Sequence, residues 1–192
     1  MAILILGLVI FLGTHSVRIV ADDWRAAQRA KHGERAWKLG YTLLSLIGFG
    51  LVVWGYGMAR REAVVLWSPP AAMRHVAALL TLIAFVLLAA AYVPRNAVKA
   101  RLHHPMVLAV KLWAFAHLLA NGTLADVILF GGFLVWAAMS FRAARGRDRA
   151  TGARYPSATM GGTVGAVAAG IAAWVVFAFW LHGWLIGVRP FP

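Results

Sequence analysis

The chain has 192 residues, 62% of them hydrophobic and 13% charged, with a mean hydropathy of +0.76. A soluble domain is about 45–50% apolar and about 25% charged, so this balance excludes a disordered chain, a soluble nucleic-acid binder and a secreted disulfide scaffold. The formal charge is +13, from 19 Lys and Arg against 6 Asp and Glu, and the lack of cysteine excludes disulfides, thiolate metal sites, thiol nucleophiles and c-type haem attachment.

The apolar runs are easily bounded. They cover residues 2–20, 39–59, 73–93, 105–121, 123–141 and 162–186. Each is near the ~20 residues that an α-helix needs to cross ~30 Å of hydrocarbon. Unbroken apolar runs, without the alternation of a barrel strand, satisfy backbone groups in lipid as helices. The predicted fold is all-α: a polytopic integral membrane bundle of six transmembrane helices, forming one domain over residues 1–192.

The first run opens at Met1 without a basic segment, and no small-residue cleavage site follows it. It reads as a retained helix rather than a signal peptide. The polar loop after it carries Trp24 and Trp37 and predicts a short interfacial helix anchored at the headgroups. Pro69 and Pro70 break the chain before the third run, and Pro105 suits the first turn of the fourth. The fourth run is the shortest and most polar, and is expected to be the most protein-buried. Asn121-Gly122 is a turn signal. Thr123 and Asp126 then have the spacing of a capping box opening the fifth helix, so helices four and five are expected to form a tight hairpin. Gly161, Gly162, Gly165 and Gly170 permit close helix contact along the start of the sixth.

Apart from Lys111, the basic residues lie between these runs or at their ends. Residues 18–38, 94–104 and 142–156 hold six, three and five of them, fourteen in all; the other face holds Arg60, Arg61, Arg74 and Arg189. That asymmetry predicts both termini outside and the three basic loops in the cytoplasm. The charge is therefore topological. Membrane lipid is the expected partner, and nucleic acid is not.

Few ionisable groups fall in the interior of the runs: His15, Lys111, His117 and Asp126, with His75, His104 and His182 at span ends. Burying such a group in lipid is costly, so each is a functional candidate. Arg18 follows His15 at i+3, on the same helix face. Trp113 and Asn121 share the stripe of His117, whereas Lys111 lies about 240° away around the helix and is placed to snorkel to the interface. Asp126 reads as a first-turn helix residue. His103-His104-Pro105 reads either as an ordinary helix start or as an anion site. Trp113 and Trp136 sit deeper than an interfacial belt, where they would pack the core or flank a cofactor. Two histidines on different helices admit two readings. One is interhelical hydrogen bonding. The other is haem b, which needs only two axial imidazoles in an apolar slot, with Arg18 placed toward a propionate. Zinc would want three or four ligands, and the acids and thiolates to supply them are lacking.

Several segments carry a resemblance to a known family. Gly13-Thr14-His15-Ser16-Val17-Arg18 resembles the NnrU family of bacterial integral membrane proteins. So do Tyr41-Thr42-Leu43-Leu44-Ser45-Leu46, the stretch from His104-Pro105-Met106 through Lys111-Leu112-Trp113-Ala114-Phe115-Ala116-His117 to Gly122, and Leu129-Phe130-Gly131-Gly132-Phe133. The resemblance implies an inner-membrane protein linked to nitrite and nitric oxide reduction in denitrification. The family is in turn similar to the haem b cis-zeta-carotene isomerase, which shares a His-Pro motif followed thirteen residues later by Ala-His. Carried over, that likeness places the iron ligands at His15 and His117 and matches His104 to the His-Pro motif. It implies redox sensing, nitric oxide sensing or electron transfer, with nitric oxide or a polyene lipid as ligand and a nitrogen-oxide reductase as partner. Two alternatives stand beside it: a haem-dependent cis–trans isomerase of a polyene, and a cofactor-free interaction protein or small transporter. A more distant likeness, to membrane isoprenylcysteine methyltransferases, rests on Arg101-Leu102-His103-His104-Pro105, which departs from their tight Arg-His-Pro.

Overall fold

The structure, a computed structural model, describes residues 1–191. It is helical throughout, with α1 Ala2–Val20, α2 Asp22–Ala59, α3 Met73–Tyr92, α4 Ala97–Leu102, α5 Pro105–Ala120, α6 Leu124–Thr151 and α7 Met160–Val176. A π-helical turn, Phe177–Leu181, continues α7 into a short α8, His182–Ile186. The only pairing of extended backbone among the described residues is a single bridge between Val65 and Thr123.

Five helical stretches are long and apolar enough to cross a membrane: α1, α2, α3, α6 and the continuous Met160–Ile186. This is a multi-pass membrane protein. The expected fourth span, α5, has 16 residues. At 1.5 Å per residue it is about 24 Å long, short of the ~30 Å hydrocarbon core. Two other helices outrun their apolar stretches. α2 starts at Asp22 because the loop before residue 39 is itself helical, with a break at Gly33 (φ 82°, ψ 158°). α6 runs ten residues past Phe141, because Arg and Ala are good helix formers after hydrophobicity has ended.

The chain divides into two compact units. Unit 1 comprises Met1–Ser68 and Gly122–Ser140. Its framework is α1 packed along α2. The approach is close enough that a Cβ on Gly48 would lie 2.7 Å from the Phe11 backbone nitrogen, so only glycine fits there. The apolar part of α6 joins them through Tyr56, whose hydroxyl donates to Asp126 at 2.6 Å. The capping box is as expected: Thr123 N donates to Asp126 Oδ2, and Asp126 N to Thr123 Oγ1. The loop after α2 is pinned to this helix start, with Leu66 N and Trp67 N donating to Gly122 O.

Unit 2 comprises Pro69–Asn121 and Phe141–Pro192. α3 is its centre, packed against α5 and α7. Ala84, Leu87 and Ala109 form a buried cluster covered by Leu112 and Trp113. Of the glycines expected to allow close contact, Gly170 does so most directly: a Cβ there would sit 2.5 Å from Val86 Cα. Asn96, 1% exposed, is fully occupied. It accepts from Lys99 N to cap α4, and it donates to Ala90 O and Val93 O at the end of α3.

Candidate functional site

The expected site residues are distributed over both units. His15, Arg18 and Trp136 belong to unit 1, and His104, Trp113 and His117 to unit 2.

In unit 1, the Nδ1 of His15 lies 2.7 Å from the carbonyl of Phe11, one turn back on α1. A carbonyl only accepts, so Nδ1 carries the proton and the lone pair is left on Nε2. An aromatic wall surrounds this imidazole. Its centroid is 4.2 Å from Phe11, 5.2 Å from Tyr41 and 6.1 Å from Trp136, which meets it edge-on. The Trp136 Nε1 is buried, yet it has no hydrogen-bond partner among the described residues. An unmet buried donor is rare and costly. Arg18, one turn beyond His15, is exposed.

In unit 2, His117 repeats the arrangement. Its Nδ1 lies 2.8 Å from the Trp113 carbonyl one turn back, which again puts the proton on Nδ1 and the lone pair on Nε2. The Trp113 ring is 5.0 Å from the imidazole. Asn121 closes the helix end by donating to the His117 carbonyl. Lys111 is exposed, on a different face of α5.

His104 has other partners. It occupies the N-cap of α5 without capping it through its side chain. Instead Nε2 donates to Asp148 Oδ2 at 2.9 Å. The same carboxylate takes His103 Nδ1 at 3.3 Å and the Tyr155 hydroxyl at 3.1 Å. Arg145 lies 3.6 Å away. His103 reaches this position through a left-handed backbone, φ 70°. Burial raises the Asp148 carboxyl, but the Tyr155 hydroxyl and the two imidazoles outweigh it and hold the group below the usual carboxylate range. Burial and then the Asp148 bond push the Tyr155 phenol up. Sequence reasoning missed both Asp148 and Tyr155. The one available signal was that Asp148 is the single acid in an arginine-rich segment.

Among the described residues no three His, Asp or Glu side chains gather as metal ligands. Haem iron needs only two imidazoles. Taken separately, His15 and His117 each have a feature that such a group requires of a ligand. A metal-bound imidazole is normally oriented by a hydrogen bond from its other nitrogen, and each has one. The unmet indole N–H of Trp136 beside His15 adds a donor for a bound acceptor.

The family described as "NnrU protein" matches residues 3–190. No curated protein matches the chain. No solved structure matches it either.

Proposed function

The chain belongs to the NnrU family, and from that premise we propose that it is a haem b protein of the bacterial inner membrane serving nitrite and nitric oxide reduction. His15 and His117 are the residues that would hold it. The observation that carries this reading is the shared state of the two imidazoles. Each Nδ1 donates to the carbonyl four residues back, at 2.7 and 2.8 Å. The chain thus fixes one tautomer at both positions, with Nε2 basic and its ring orientation set. Arg18 is the cation for a propionate, Trp113 braces the His117 ring, and the Trp136 N–H is a donor beside His15. His104 serves indirectly, by holding the start of α5, the helix that carries His117. Haem supplies one-electron redox chemistry and a place for nitric oxide, and the protein's part is to orient the imidazoles and exclude water.

The test is an absorption spectrum of the detergent-purified protein, oxidised and reduced, with a haem-to-chain ratio. The expected result is sharp reduced α and β bands near one haem per chain, lost in His15→Ala and in His117→Ala. A colourless, folded protein from haem-replete cells would remove the haem reading. Full haem retention by both variants would remove the ligand assignment alone. The link to denitrification is tested separately: deleting the chain's gene in a denitrifying host is expected to lower nitric oxide reductase activity.

A further inference from the structure

The segment of α2 before Gly33 plays no part in the reading above. Gly33 has φ 82°, a value that favours glycine, and it breaks the polar stretch of α2, Asp22–Lys38, ahead of the apolar remainder that begins at Leu39. Between α1 and the two parts of α2 lies a cavity of about 500 Å³, wholly within unit 1. That is within the ~300–1,000 Å³ of ordinary ligand pockets. Its lining includes Val17 of α1, Trp24, Gln28 and His32 before the kink, and Trp37 and Tyr41 after it. Trp24 and Trp37 meet edge to face at 5.9 Å. Gly13 and Gly40 line it as well, and a Cβ on either would meet nothing within 4 Å. At these two positions the cavity is open down to the backbone.

Charge indicates the occupant. The basic side chains Arg25, Arg29 and Lys38 are drawn into ion pairs with Asp22 or Glu34. Lys31 and Arg35, which flank His32 in sequence, are exposed and form no ion pair among the described residues. Aromatic and aliphatic walls suit a hydrocarbon chain, and basic residues at the end of a membrane-crossing helix attract anionic headgroups. We propose that this cavity holds one anionic phospholipid, with an acyl chain among Val17, Trp24 and Trp37 and the phosphate at the His32 end of the lining, where the exposed Lys31 and Arg35 are close in sequence.

The probe is phosphatidylglycerol, offered as a minor component with phosphatidylcholine in nanodiscs holding the full chain. Lipid retained on re-extraction is counted by native mass spectrometry. One phosphatidylglycerol per chain is expected, enriched over its share of the mixture. A Cβ at Gly13 or Gly40 meets nothing within 4 Å, so Gly13→Leu and Gly40→Leu are chosen to fill the cavity, and each is expected to lower retention about tenfold, as the loss of ~1.4 kcal/mol of affinity would. Circular dichroism checks that each variant keeps its helices. The double variant Lys31→Gln, Arg35→Gln is expected to retain a lipid but to lose the preference for phosphatidylglycerol. Retained lipid that follows the bulk composition would overturn the proposal, as would full retention by a folded cavity-filled variant. Should neither glycine variant fold, quenching of Trp24 and Trp37 by brominated-chain phosphatidylglycerol decides: it is expected to exceed that by brominated phosphatidylcholine at equal mole fraction, and equal quenching overturns the proposal. Haem content is read independently by absorbance, so the two proposals fail separately.

Discussion

The Nε2 of His104 donates to Oδ2 of Asp148 across 2.9 Å, bridging 44 positions of sequence. With Tyr155 on the same oxygen, it ties the start of α5 to the arginine-rich end of α6 and to the loop that follows.

The pH dependence of this tie follows from its two shifted groups. A carboxyl held below its unfolded value, as Asp148 is, stabilises the fold above about pH 4; the benefit fades as pH falls through the folded value. A phenol raised above its unfolded value, as Tyr155 is, stabilises below about pH 10 and loses that benefit as pH rises through the folded value. Thermal unfolding in detergent should therefore show a plateau at neutral pH with an acid limb and an alkaline limb. Asp148→Asn should flatten the acid limb, and Tyr155→Phe the alkaline one. Profiles superimposable on the parent would show that the tie does not contribute to folding.

A second prediction concerns Asp126, which is 4% exposed. Its carboxylate accepts from the Tyr56 hydroxyl at 2.6 Å and from both the amide and the hydroxyl of Thr123. Tyr56→Phe removes one bond and should cost about 1 kcal/mol. Asp126→Ala leaves several donors unmet and should cost about 3 kcal/mol, lowering the melting temperature well beyond the tyrosine variant. Equal, small effects would mean that water satisfies these groups when the carboxylate is gone.

Some of this architecture was legible in the chain and some was not, for physical reasons. Apolar runs are local, so residues 2–20 and 73–93 fall within a residue of α1 and α3. The Thr123–Asp126 cap is also local, and it forms as its spacing implies. The polar loop at Asp22–Lys38 was expected to hold a short helix, and it is helical but runs on into α2; the end of α6 was not legible from hydrophobicity, because Arg142–Thr151 is polar yet helical. For them propensity decides the helix, while the apolar run decides only the membrane span. The partner of His104 was illegible because Asp148 lies 44 residues away and no pattern in one sequence encodes that distance. For His15 and His117 the sequence supplied the positions, and the structure adds the tautomer, since the i−4 carbonyl selects which nitrogen is protonated.

Orientation gives a third prediction. The lack of cysteine makes single-cysteine labelling clean. The excess of Lys and Arg around residues 18–38 and 142–156 should face the cytoplasm. Cysteine at Arg149 should then react with an impermeant maleimide only in inverted vesicles, and cysteine at Arg61 only in right-side-out ones. The opposite pattern would invert the topology and place the proposed phospholipid in the other leaflet.

The last prediction turns on Trp136, whose buried indole N–H has no partner among the described residues while its ring meets His15 edge-on. Without a ligand this donor is a liability of about 1–3 kcal/mol, because it has left water and gained nothing. Trp136→Phe keeps most of the ring and removes the N–H. In protein stripped of haem, the variant should be as stable as the parent or more so. If His15 holds haem as proposed, the same change removes a donor beside that imidazole and should shift the reduction midpoint or the reduced bands of the loaded protein. A variant that destabilises the stripped protein and leaves the loaded spectrum unchanged would assign Trp136 to packing alone. The opposite pattern would make this indole part of the site, with the cost of burying its N–H borne by the fold until a ligand is bound.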